Sequence, residues 1–156
     1  MESSQRMERV ITAILAAQGR DPLTMQPGDG IKLRLGGPLS GFPPLVIEKI
    51  SPWRLLVAHY RDSLAGDQEL PDPEIVFSLH VISGWGWVPV ECRNALGRSY
   101  CYATYNEDDT IYGVNHAGIA DLNELAELWG ADLQEQGWIQ RSDLIAVYMT
   151  LGSLAG

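Results

Sequence analysis

Between Ile31 and Val114 the chain is cut into short apolar segments that alternate with a period of two, and this limits the fold more than any other feature. "IKLRL" (31–35) alternates strictly and predicts a half-buried strand with Lys32 and Arg34 on the solvent side. "LVIEKI" (45–50) and "RLLVAHY" (54–60) flank Ser51-Pro52-Trp53, the spacing of a hairpin. "IVFSLHV" (75–81) alternates again. "WGWVPVEC" (85–92) and "SYCYATY" (99–105) surround a turn that Gly97 suits, and "IYGV" (111–114) makes a last short strand. Strands joined by turns this short pair antiparallel, because a parallel pair needs a long crossover.

The flanks have the helical period. Residues 3–18 place Met7, Val10, Ile11, Ile14 and Leu15 on one stripe, with Ser3 or Ser4 as cap and Gly19 as stop. Asp121 followed by Glu124 resembles a capping box and opens a second helix that Gly137 ends. In "RSDLIAVYMTLGSLAG" the cap Ser142 and the face Leu144, Tyr148 and Leu151 predict a third. "GRDPLTMQPGDG" (19–30) and the acidic "RDSLAGDQELPDPE" (61–74) read as loops. Helices segregated from strands indicate one α+β domain over residues 1–156. It has an antiparallel meandering sheet of five to seven short strands, an N-terminal helix and two C-terminal helices. A chain of 156 residues buries a core of its own without staples. The two cysteines, Cys92 and Cys101, have no metal-ligand spacing. Two reduced thiols are preferred over a disulfide across the hairpin.

Charge narrows the function. Residues 1–61 hold eight basic and five acidic residues, a net of +3; residues 62–156 hold three and fifteen, a net of −12. Between Arg98 and Arg141 stand eight acids and no Lys or Arg. Direct binding of nucleic acid by this half is disfavoured, because phosphate must be met by cations. A basic protein surface is attracted instead.

No motif commits the chain to catalysis. A phosphate loop and a nucleophile elbow are both missing from the sequence. Asp62, Asp67, Glu69, Asp72 and Glu74 cluster without the spacing of a calcium loop and read as solvated. His59 stands three residues before Asp62, and the two face each other only if the strand has ended between them. Alternation along "WGWVPVEC" puts Val88, Val90 and Cys92 on the better core face, and Trp85, Trp87, Pro89 and Glu91 on the other. Glu91 and Cys92 therefore do not act together, and Pro89 marks an edge or a bulge. No catalytic residue, metal ligand or cofactor is assigned.

The late helix carries the sharper signal. Leu122, Leu125, Ala126, Trp129 and Leu133 share one arc of about 100° and predict the core face. Asp121, Glu124, Glu127, Asp132 and Glu135 occupy a second arc with Leu128 inside it. An apolar anchor within a patch of one sign suits protein binding. The candidate partner-binding residues are Glu107, Asp108, Asp109, Asp121, Glu124, Leu128 and Asp132.

"PPLVIEKI", "VAHY", "GDQELPDPEIVFSL", "GWVPVECRN" and "WGADLQEQGW" carry a resemblance over Pro43 to Gly137. The stretch resembles a family of small uncharacterised bacterial domains met mostly near plasmid, phage and integrative-element genes. The family carries no activity over to any residue. The resemblance implies a mobile-element accessory or anti-defence factor rather than a housekeeping enzyme.

The expectation is a cytoplasmic, non-enzymatic interaction protein whose partner is a basic surface of a host protein. Nucleic-acid-handling defence machinery is the natural candidate, met by carboxylates acting as a nucleic-acid mimic in an anti-CRISPR or anti-restriction manner. The alternative is a small-ligand or metal-dependent enzyme using the sheet face and the His59/Asp62 loop; a homodimer is a third arrangement. The start, "MESSQRMERVITAILAAQG", does not read as a secretory signal. No apolar run reaches the roughly 18 residues of a membrane helix.

Overall fold

A computed structural model describes residues 3–36, 41–62, 69–79, 86–140 and 144–149. The elements run α1 (Gln5–Ala17), β1 (Gly30–Leu35), β2 (Leu45–Ser51), β3 (Arg54–Asp62), β4 (Glu69–Ser78) and β5 (Val88–Arg93). After these come β6 (Ser99–Cys101), β7 (Ala103–Tyr105), β8 (Ile111–Val114), α2 (His116–Gln136) and β9 (Leu144–Met149). Seven strands form one antiparallel sheet in the order β6-β5-β4-β3-β2-β1-β9, and β7 and β8 form a separate hairpin. The class is α+β, as the segregated periods require.

Four elements differ from the sequence expectation. The third helix is instead β9, paired with β1 from Gly30↔Met149 to Leu35↔Leu144. Its Ile, Val and Tyr residues suit a pleated surface, and pairing satisfies a row of β1 backbone groups otherwise left open. The acidic loop contributes its end, "ELPDPE", to β4. The β3–β4 register shifts between Ala58 and Tyr60, the irregularity that Pro71 and Pro73 require inside a sheet. "SYCYATY" breaks at Tyr102 into β6 and β7. Finally, α2 starts five residues before Asp121. Asn115 is its N-cap, its side-chain oxygen accepting the Gly118 amide at 3.0 Å.

Alternation gives the sheet two faces. Ile31, Leu33, Ile47, Val57, Ile75 and Phe77 point to the side where α1 and α2 pack, and together they make the main core. On α1 the predicted stripe is fully engaged, each residue stabilising by about 2 kcal/mol. Ser4 occupies the N-cap position, but its hydroxyl donates to Asn123 Oδ1 at 2.5 Å and so ties α1 to α2. On the opposite face β7 and β8 fold back over Val76, Val88 and Val90, with Ala103 and Ile119 completing a second cluster.

The β7–α2 junction tolerates no side chain at Gly118. A Cβ there would lie 2.3 Å from the Tyr102 ring. Gly118→Ala is expected to cost about 2–3 kcal/mol by overpacking, read as a lower urea midpoint. An unchanged midpoint would mean that the ring moves aside freely.

Candidate functional site

The solvent face of α2 is centred on Leu128. At 100° per residue, Asp121, Glu124, Leu125, Leu128, Asp132 and Glu135 fall within about 120°, and all six are exposed. Leu128 is 68% and Leu125 44% exposed, so two leucines stand among four carboxylates. No Lys or Arg lies anywhere on α2. Leu125 was expected in the core. The buried residues Ile119, Leu122, Asn123, Ala126, Trp129, Gly130 and Leu133 centre the inner arc on Ala126, and Leu125 lies about 100° from that centre. Glu127 is half-buried at the margin and accepts the Arg6 amide at 3.0 Å.

The turn residues divide. Glu107 and Asp108 are exposed on the β7–β8 turn, where Asp108 accepts the Thr110 hydroxyl at 2.6 Å. Asp109 is only 6% exposed and has a left-handed backbone, φ 72°. Its carboxylate accepts the Ser51 hydroxyl, the Trp53 amide at 3.0 Å and Arg54 Nε at 2.7 Å. Arg54 also reaches Glu91 at 3.2 Å and lies 4.2 Å over the Tyr105 ring. Burial alone would lower the guanidinium's pKa, but the Asp109 bond and the nearby charges hold it above its ordinary value. Asp109 therefore leaves the candidate surface: it pins the β7–β8 turn to the β2–β3 turn.

The sheet face holds a second polar row. Glu74 accepts the Tyr60 hydroxyl at 2.6 Å and pairs with Arg93 at 3.0 Å. Burial, then Glu74, pushes the Tyr60 hydroxyl upward. A cavity of about 180 Å³ opens beside Glu74, Glu91, Arg93 and Tyr100. Its carboxylates are already engaged, since Glu91 holds Arg54 and accepts Tyr105 at 2.9 Å. Among the described residues no group of three His, Cys, Asp or Glu side chains is arranged to hold a metal ion.

Glu48 on β2 is raised above the ordinary 4.5 by burial first and the Glu74 charge second. A raised folded-state value favours the protonated form. That contribution is complete below the unfolded value and is lost as pH rises through the folded one. Glu48→Gln is therefore expected to raise the Tm at neutral pH and to leave it unchanged below about pH 4.

His59 is buried between Trp129 and Trp138, with ring centroids 5.5 and 5.7 Å away. Strand β3 continues through Asp62, so the condition for positions 59 and 62 to share a face is not met. His80 and Trp85 lie outside the described residues. Trp87 is buried against Phe77 at 5.7 Å. The β4–β5 register pairs Val76 with Glu91 but Phe77 with Pro89, leaving Val90 as the extra residue of a bulge. The bulge explains why Val88 and Val90 join the second cluster while Cys92 packs on the main core. Glu91 faces Cys101, and Cys92 faces Tyr100. Both thiols are free and occupy opposite faces of the sheet, so this register does not bridge them.

A family model described as a domain of unknown function (DUF6908) matches residues 10–139. This agrees with the resemblance to an uncharacterised domain family and extends it into α1. No curated protein and no solved structure matches the chain.

Proposed function

We propose, for a chain that belongs to the DUF6908 family of unknown function, a non-enzymatic role in which α2 docks on a basic surface of another protein. The observation that carries this is the exposed arc of Asp121, Glu124, Asp132 and Glu135 around Leu125 and Leu128. These four carboxylates span about 21 Å of helix axis, one per roughly 5 Å. A DNA strand presents one charge per about 3.4 Å. A Lys/Arg groove shaped for phosphate meets a comparable line of charge here. Burying Leu128 in the interface adds about 2 kcal/mol that phosphate does not supply. Glu107 and Asp108 extend the acidic surface on a different element.

The resemblance to domains of plasmids, phages and integrative elements directs the partner search to nucleic-acid-handling defence proteins in the cytoplasm. An inhibitor of CRISPR or restriction machinery fits that setting. Affinity capture from host lysate, with mass-spectrometric identification, is expected to recover a basic protein whose association weakens at least tenfold between low and high salt. A salt-insensitive partner of acidic composition would overturn the proposal. Divalent cations and nucleotides are expected to leave the Tm unchanged. A reproducible metal-dependent rise would favour ligand chemistry at the sheet face.

A further inference from the structure

We propose that β9 is a self-association edge: a second copy of this chain adds its own β9 antiparallel about a two-fold axis and joins the two sheets. Among the described residues the outermost strands of the sheet are β6 and β9. β6 is three residues long, follows Arg98 and leads straight into β7. Shortness and a flanking charge are the means by which proteins blunt an open edge. β9 has neither. Its six residues, Leu-Ile-Ala-Val-Tyr-Met, contain no charge and no proline. Pairing with β1 over that whole length uses one row of backbone groups. The other row faces away from the sheet, with no strand beyond it among the described residues.

Geometry and charge select a second copy as the occupant. Identical strands paired antiparallel about a two-fold axis are self-complementary, so one surface serves both partners. A chain of net charge −9 repels its copy unless the acids are held apart. The strand beside β9 is β1, whose only charged residues are Lys32 and Arg34. The acidic helix α2 packs on β5. In sheet order β5 lies five strand spacings from β9, about 24 Å, and β3, whose His59 meets Trp129 of α2, lies three, about 14 Å. Across the dimer even the shorter distance doubles to several times the roughly 8 Å Debye length at physiological salt. The α2 face stays open in such a dimer, so this inference does not depend on the proposed function.

Sedimentation over a wide concentration range tests it, with hydrogen exchange on the same samples. The wild-type chain is expected to reach twice its 17.2 kDa mass and to dissociate on dilution. Val147→Lys places a cation opposite Lys32 in the β1–β9 register. It is expected to hold the chain at its single mass with an unchanged far-UV spectrum. In the wild type, protection of amides 144–149 is expected to rise with concentration while that of β6 does not. This second readout decides the matter if the variant fails to fold. A single-chain mass throughout, a folded variant that still dimerises, or a dimer whose 144–149 exchange ignores concentration would each overturn the proposal.

Discussion

Asp109→Ala is expected to cost about 3–4 kcal/mol of stability, because removing one partner of a buried charged network leaves the others unpaired. Three donors lose their acceptor at once: the Ser51 hydroxyl, the Trp53 amide and Arg54 Nε. Arg54 keeps Glu91 alone as a carboxylate partner in this network. The substitution also places alanine at φ 72°, which costs roughly a further 1 kcal/mol. Asp109→Asn separates these effects. Asparagine tolerates the left-handed backbone and still accepts hydrogen bonds, but it carries no charge. Its cost is expected to be about half that of alanine. Urea denaturation measures both. A loss below about 1 kcal/mol for alanine would mean that water takes over the site.

Reversing Asp121, Glu124 and Asp132 to lysine is expected to abolish partner capture while leaving the fold intact. All three side chains are exposed. Exposed like charges on one helix face oppose helix formation weakly, so their reversal changes stability by no more than about 0.5 kcal/mol. The same change turns each attraction to a basic groove into a repulsion. Contacts of that kind cost several kcal/mol when desolvated. Binding and stability therefore separate cleanly in this variant, whereas Asp109 substitutions move stability first.

The strands from β1 to β3 and the α1 stripe were legible because burial on one face writes its period directly into the sequence. β9 was not. Leu144, Tyr148 and Leu151 also fit a helical face, and what decides for a strand is pairing with β1 more than a hundred residues away. The start of α2 was hidden by a second plausible cap: Asp121 and Glu124 imitate a capping box inside a helix that Asn115 already caps. The acidic face was legible from composition and spacing, but its apolar part was not resolved. The inner arc was placed so that Leu125 fell in the core, and only the packing of Ile119 and Asn123 shows the true centre. The role of Asp109 had no local signal. In "NEDDT" it is one acid of three, and its bonds reach Ser51 and Arg54, 58 and 55 positions away. The separation of Glu91 and Cys92 was legible from alternation alone, and the pleat assigns them to opposite faces.

The most direct measurement is the Kd of the captured partner for three chains: the wild type, the triple lysine variant and Leu128→Ala. The account predicts a loss of at least 100-fold for the charge reversal, equivalent to about 2.7 kcal/mol or more. It predicts a loss of about tenfold for Leu128→Ala, with all three chains equally stable to urea. Equal Kd values for the wild type and the lysine variant would contradict it.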